Sequence, residues 1–238
     1  MRYTWIHAIN EPRNFSNIDP YRDDKELATE LALALYPELK EKVRVADDSL
    51  EMAVRIAIAG NIIDLGVADS YDLEATLQRV LTQAFAINDL DALRSALKQS
   101  DSILYLADNA GETVFDRVLI ETLGFPVSYV VKAAPIINDA TRKDAVAAGI
   151  DRVANIIDNG SGAPGTLLDQ CSKLFCTQFA EADLIIAKGQ ANYESLSNSS
   201  APIFFLLQAK CNVIARDLWV VEGGTILKRA GVTCRLSW

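Results

Sequence analysis

Histidine is nearly absent from this 238-residue chain, which has only His7. That excludes a His-rich zinc site, and any Ser-His or Cys-His nucleophile would have to run through that one imidazole. Cysteine is scarce too. Cys171, Cys176, Cys211 and Cys234 form no CxxC pair, so free thiols in a reducing cytoplasm are expected rather than a disulfide scaffold. Positive charge is in deficit, with 23 Lys and Arg against 32 Asp and Glu and a formal charge of -9. Without a basic run, neither nucleic acid nor an anionic membrane surface is an expected partner. No apolar stretch approaches the roughly 20 residues of a spanning helix. The opening MRYTWIHAINEPRNF lacks the apolar core of a secretory leader. A soluble, cytoplasmic protein is expected. What the chain has in plenty is apolar side chains, half of it by count, enough for one large core or two modest ones.

The pattern changes near residue 100. Before it, apolar residues recur at helical spacing in Glu26–Tyr36, which stops before Pro37, and in Leu50–Ile63, Leu73–Ile87 and Leu90–Leu97. No strand is predicted in this half. After it, Ile-, Leu- and Val-rich runs appear at Ile103–Ala107, Val127–Val131, Val153–Ile157, Leu184–Ala187 and Ile203–Leu207. They alternate with segments of helical length at Thr113–Leu123, Ala140–Ala148, Leu167–Glu181 and Ala191–Leu196. Leu218–Lys228 reads as one or two strands around Gly223-Gly224. Continuous apolar runs separated by helices mark a parallel sheet buried on both faces. The predicted fold class is therefore α/β. A helical N-terminal domain, residues 1–99, packs on a three-layer α/β/α sandwich, residues 100–238, with a mostly parallel sheet. Such sheets bind ligands beyond the carboxyl ends of their strands.

Polar residues crowd at those ends. The first strand runs into Asp108-Asn109-Ala110-Gly111-Glu112, and the second leads through Lys132 to Asn138-Asp139, each before a helix. Capping that helix is the ordinary use of such residues. Sequential βα units mostly lie side by side, however, so Asp108, Asn109 and Asp139 can converge on one cleft. Three oxygen donors without His or Cys suit a hard cation such as magnesium or manganese. The third exit, Asp158 to Thr166, is glycine-rich without being a Walker A or GxGxxG loop. It is either a plain turn or a loop whose amides wrap a phosphate. The fourth exit delivers Lys188-Gly189 and then Asn192-Tyr193-Glu194, a point charge for phosphate beside a residue that lets a ligand approach. Asn61 and Asp64, at the end of an apolar helix, share one face. They either terminate the helix or wall the same cleft.

With Asp108-Asn109-Ala-Gly-Glu112, Asn138-Asp139-Ala-Thr and Lys188-Gly-Gln-Ala-Asn192-Tyr193-Glu194 in this order, the chain resembles the metal-dependent damage-control phosphatases. These were formerly a domain of unknown function and are also labelled acidic-residue methyltransferase-like. The resemblance runs from about Asp19 to the C-terminus and takes in Gly60-Asn61-Ile-Ile-Asp64-Leu-Gly66 and Leu207-Gln-Ala-Lys210-Cys211. The prokaryotic, stand-alone branch is the most similar. The resemblance implies a helical domain on an α/β/α sandwich with a divalent metal between them, and hydrolysis of sugar phosphates or damaged phospho-metabolites. It implies metal ligands at Asp108, Asn109 and Asp139, a phosphate-contacting lysine at Lys188 and a substrate-facing glutamate at Glu112. Asn61 and Asp64 match the motif bordering the pocket. One departure stands out: relatives of this branch usually begin with a further helical segment carrying a CxxC pair, and this chain has no cysteine before Cys171.

The expected reaction is phosphomonoester hydrolysis at one divalent cation, Mn2+ or Mg2+ with Co2+ or Ni2+ as alternatives. Asp108, Asp139 and Lys188 would be catalytic, and Glu112, Ser161, Gly162, Asn192, Asn61 and Asp64 would face the substrate. A metal-activated water and an aspartyl-phosphate on Asp108 are both open routes. Two other functions are compatible with the fold: carboxyl methylation with S-adenosylmethionine, and a non-catalytic sugar-phosphate or nucleotide-binding module. The first lacks a Gly-rich nucleotide loop after the first strand.

Overall fold

A computed structural model describes residues 19–60 and 70–231 of the chain. Asp23 and Asp24 at one end and Lys42 and Arg44 at the other complement the dipole of helix α1, Arg22–Val45. The expected stop before Pro37 does not occur, because α1 continues through that residue. A helical proline costs about 3 kcal/mol. Leu39 and Val43 beyond it are buried and together contribute about 3–6 kcal/mol, so packing outweighs the local penalty. Helix α2, Ser49–Ala59, starts where the Asp48 side chain accepts the Glu51 N–H at 3.0 Å. Every residue from Val54 to Ala59 except Arg55 is buried. The remainder of the predicted Leu50–Ile63 helix lies outside the described residues.

Helix α3 spans Ser70–Thr82, strand β1 Phe85–Asn88 and helix α4 Leu90–Leu97. The strand corrects the reading of this half as wholly helical: Leu73–Ile87 divides into the end of α3 and β1. Four residues of half-exposed alternation, adjoining a helix, leave too little periodicity to register. The alternation that follows runs β2 Ile103–Leu106, α5 Thr113–Leu123, β3 Val127–Val131, α6 Arg142–Ala147 and β4 Asn155–Asp158. It continues through α7 Lys173–Glu181, β5 Ile185–Lys188, α8 Gly189–Leu196, β6 Ile203–Gln208, α9 Asn212–Leu218 and β7 Thr225–Arg229. Two segments differ from expectation. Leu167–Glu181 is a 3-10 turn at Leu168–Gln170 followed by α7, which Ser172 caps. Asn212–Leu218 forms α9, which was not predicted, while the segment from Leu218 holds one strand, within the expected one or two.

The seven strands form one sheet in the order β1-β7-β6-β5-β2-β3-β4. The five from β6 to β4 are mutually parallel, while β7 runs antiparallel to β6 and parallel to β1. Chain order proceeds outward from β2 through β3 to β4, then returns to β5 on the other side of β2. The border between β2 and β5 is therefore a switch point, where connections diverge and leave a crevice. Strand residues alternate between two cores. Ile103, Tyr105, Ala107, Tyr129 and Ile186 pack with α1, α2, α4, α5 and α6, whereas Leu104, Leu106, Ile185 and Phe205 pack with α7, α8 and α9. This is a three-layer α/β/α arrangement with a helical N-terminal region on one face. Among the described residues no helix is long and apolar enough to cross a membrane. Cys171, Cys176 and Cys211 are free thiols, and Cys234 lies outside the described residues.

Candidate active site

Three strand ends meet at the switch point. Beyond β2 the chain pairs with the loop after β3 through an antiparallel bridge between Asn109 and Asp139. The Ala110 N–H donates to Asn138 O at 2.9 Å and the Ala140 N–H to Asp108 O at 2.8 Å. Asp108, Asn109 and Asp139, predicted to converge, are thus brought together by backbone bonds. None of them caps the helix that follows it in the chain. Helix α5 begins after Glu112 with no side-chain cap, and α6 is capped by a box of Thr141 and Asp144. The ordinary alternative for these three residues is accordingly absent.

The Asp108 carboxylate lies against the start of α8. Gly189 has φ +79°, and a Cβ there would stand 1.8 Å from Asp108 Oδ2. Only glycine tolerates both the backbone and the contact. Asn109 and Asp139 are buried, and the Asn109 amide nitrogen donates to Glu112 Oε1 at 3.2 Å, which turns its carbonyl oxygen the other way. Among the described residues Asp139 Oδ2 is the only buried side-chain nitrogen or oxygen without a hydrogen-bond partner. An orphaned carboxylate oxygen in a dry site is costly unless something else meets it. Burial pushes the Asp139 carboxyl above the usual range, against the pull of Lys132 and Lys25.

Among the described residues no group of three His, Cys, Asp or Glu side chains is built to hold a cation. A cation at this site would instead take the Asp108 and Asp139 carboxylates and the Asn109 amide oxygen, with water completing the shell. That donor set fits Mg2+ or Mn2+, which keep several waters. The orphaned Asp139 oxygen fits it as well.

Beneath these residues lies an ionic cluster sealed from solvent. Lys188, at the end of β5, donates to Glu112 Oε2 at 2.8 Å and to Asp116 Oδ1 at 2.6 Å. Asp116 also accepts the hydroxyls of Tyr105 at 2.8 Å and Tyr129 at 2.7 Å. Burial alone would lower the Lys188 pKa, but Asp116 and Glu112 hold it well above the ordinary value, so the ammonium stays charged. Glu112 is pushed up to about 7 by burial, with Lys188 and Lys210 opposing and Asp108 and Asp116 reinforcing the rise. Glu112 and Lys188, both predicted, are therefore joined at the site. Asp116, which supports them, was not predicted.

The loop after β4 is held in place from within. Asn159 Oδ1 accepts the Ser161 N–H at 2.9 Å, Ser161 Oγ accepts the Ala163 N–H at 3.1 Å, and Ser161 O accepts the Ala133 N–H at 3.0 Å. The Ser161 amide is thereby engaged in the turn, and Gly162 comes against Ala134. Asn192, predicted to face substrate, has its amide fully engaged in bracing. Its nitrogen donates to Ala107 O and Lys188 O, at 3.0 and 2.8 Å, and its oxygen accepts Thr166 Oγ1 at 2.7 Å. It ties β2, β5 and this loop together. Gly60 ends α2 so close to α5 that a Cβ there would stand 3.1 Å from Phe115 Cβ and 3.3 Å from Glu112 Cα. The described part of α2 thus ends beside the site, while Asn61 and Asp64 lie outside the described residues.

Two buried lysines belong to this neighbourhood and were not predicted. Lys132 extends β3 toward Thr141, donates to Gly165 O and stands 3.5 Å from Asp139 Oδ2. Its position directly after an apolar strand is the same signal that singled out Lys188. Lys25, from α1, pairs with Asp19 at 2.9 Å and with Asp144 at 3.4 Å, bringing a charge from the helical region to the start of α6.

A family model for the damage-control phosphatase ARMT1-like domain matches residues 5–226. The damage-control phosphatase of Pyrococcus horikoshii is 38% identical over 219 residues, covering 90% of this chain and 75% of the relative. That of Archaeoglobus fulgidus is 39% identical over 219 residues, covering 88% and 75%. A crystal structure of a DUF89 family protein from Pyrococcus horikoshii, 38% identical, superposes with a TM-score of 0.81 over 89% of this chain and 75% of that one. In fold and in sequence over most of its length, the chain belongs to the damage-control phosphatase family with the ARMT1-like domain.

Proposed function

We propose that the protein hydrolyses phosphomonoesters of small metabolites, sugar phosphates or damaged phospho-metabolites, with a divalent cation held by Asp108, Asn109 and Asp139. Mn2+ or Mg2+ is the proposed ion, and Co2+ or Ni2+ would substitute. Membership of a phosphatase family supports the reaction class. The observation that carries the metal is the buried Asp139 Oδ2, which has no hydrogen-bond donor and lies beside Asn109 at the switch point.

A bound cation supplies Lewis acidity toward a phosphate oxygen and a more acidic water. The chain's own residues bind, orient and exclude solvent. Two of the three Lys188 N–H groups are taken by Glu112 and Asp116, which fixes the direction of the third. That N–H offers a fixed positive charge to the phosphoryl group, and a preorganised charge in a dry site needs no reorganisation during reaction. Gly189 lets the Asp108 carboxylate sit over the first turn of α8, whose positive end favours anions there. Asn192 and Thr166 hold the loop carrying Ser161 and Gly162 against the strand ends.

The test is turnover of p-nitrophenyl phosphate by metal-stripped and Mn2+-loaded protein. Activity is expected only in the loaded form, and it should disappear in Asp108→Ala and Asp139→Ala variants that keep the parent circular dichroism. Equal rates with and without metal would overturn the proposal. A panel of phosphorylated metabolites under the same conditions would then identify the substrate.

A further inference from the structure

Three buried lysines surround the site, and they are bonded differently. Lys188 reaches its carboxylates at 2.6 and 2.8 Å, and Lys25 reaches Asp19 at 2.9 Å. These are the short contacts of charge-assisted hydrogen bonds. Lys132 stands off at 3.5 Å from Asp139 Oδ2, leaving that oxygen without a hydrogen bond, while its ammonium bonds Gly165 O. Lys25 also stands 3.4 Å from Asp144 Oδ2, but that oxygen has the Thr141 N–H and hydroxyl as donors, whereas Asp139 Oδ2 has none, and an unbonded buried carboxylate is expensive. The lysine backbone is in no position to drift. Its N–H donates to Ala140 O at 2.9 Å, and the residue bridges to Thr141.

We propose that Lys132 is the resident counter-ion of Asp139: it neutralises the carboxylate until a divalent cation takes Oδ2, and its charge then serves the phosphate of the ligand. The inference rests on the metal-dependent reading above. The ammonium gives up no hydrogen bond to Asp139 in the exchange, and its bond to Gly165 already holds it beside the glycine-rich loop. Metal and phosphate would then bind cooperatively through one side chain. A cation on Asp139 repels Lys132, and a phosphate dianion receives it. The lysine would weaken metal binding in the free protein and strengthen phosphate binding in the loaded one.

Calorimetric titration of the metal-stripped protein with Mn2+, without phosphate, tests this directly. Two like charges this close repel even in partly screened protein surroundings. Lys132→Gln should therefore bind Mn2+ at least about ten-fold more tightly than the parent, and Lys132→Arg should stay near the parent value. Inorganic phosphate should bind the Mn2+-loaded Lys132→Gln protein about ten-fold or more weakly than the loaded parent. Unchanged or weaker Mn2+ affinity in Lys132→Gln would overturn the inference. A parent that binds no Mn2+ at all would instead overturn the metal-dependent reading. Should Lys132→Gln fail to fold, the parent itself decides. Mg2+ titration followed by NMR must shift the Lys132 side-chain signals and the Gly165 amide together, and an unmoved Lys132 signal would overturn the inference.

Discussion

Two ionic groups lie side by side at the strand ends, and they are built to opposite standards. Around Asp116 every partner is close: Lys188, Tyr105 and Tyr129 all bond it within 2.8 Å, and Glu112 completes the shell of the lysine at 2.8 Å. Around Asp139 the nearest cation stands at 3.5 Å and one oxygen has no donor. Both carboxylates are buried, so burial does not separate them. The difference lies in satisfaction. A fully satisfied buried network rigidifies its surroundings, whereas an unsatisfied one stores a cost that a ligand can relieve. The first group is a braced support that aims Lys188 at the site, and the second is the position a ligand completes. Substitutions should therefore divide, with those at Asp116 costing stability first and those at Asp139 costing turnover.

The largest expected effect is on the open side. Asp139→Asn keeps the shape and removes the charge that a cation needs, and its turnover of p-nitrophenyl phosphate should fall by roughly 10⁴-fold, about 5 kcal/mol of transition-state stabilisation. Its urea midpoint should fall less than that of Asp116→Ala, because Lys132 loses its counter-ion but no hydrogen bond to Oδ2 is lost. Asp116→Ala should lose stability first, and turnover with it. It strands the Lys188 ammonium and two tyrosine hydroxyls in a dry core, and breaking a buried pair in this way costs about 3–5 kcal/mol, read from chemical denaturation. A stability loss at Asp139 as large as that at Asp116 would erase the distinction.

The same contrast explains what the sequence made legible. Asp108, Asn109, Asp139 and Lys188 stand out because apolar runs stop abruptly at polar residues, and in a parallel sheet those stops share one edge. The helical wall was legible as far as Gly60. Asp116 was not, because a single carboxylate inside a helical pattern reads as a solvent-facing residue. A signal for it did exist: Tyr105 and Tyr129 fall within strands buried on both faces, and buried phenols need an acceptor. Elements were missed where short length removed the period. Strand β1 is four residues and α9 seven, and Val213 of α9 is exposed rather than packed. Pro37 misled because a local rule was outweighed by burial further along α1.

A smaller effect tests how tightly the open side is held by its neighbour. Gly189→Ala places a Cβ 1.8 Å from Asp108 Oδ2 at a backbone φ of +79°, so the carboxylate must move. Displacing a reacting group by about 1 Å can cost roughly 100-fold in rate, and a loss of that order is expected with Mn2+ saturating. Gly124→Ala, also at positive φ but with nothing near its would-be Cβ, supplies the control. It carries the backbone strain without the contact, so it should lower stability and leave turnover alone.

The smallest effect lies outside both groups, where α1 is fastened to α5. Glu121 accepts from Tyr36 Oη at 2.7 Å and from Arg117 Nε at 3.0 Å, and also from Lys40. Burial raises its pKa, but the bonds from Lys40, Tyr36 and Arg117 outweigh burial and hold the carboxyl below its usual value. A carboxyl depressed in the folded state adds stability above its unfolded pKa, near 4.5, and that stability is lost as the pH falls through the lower folded value. Glu121→Gln should therefore reduce stability by about 1 kcal/mol at neutral pH and flatten the acid limb of the stability profile below pH 4.5. Because the pair fastens the helical layer and touches neither ionic group at the strand ends, the Mn2+ affinity of Glu121→Gln should match that of the parent. A change in metal affinity would mean that the strand-end site depends on how α1 is seated, through Lys25, which that helix brings to the start of α6.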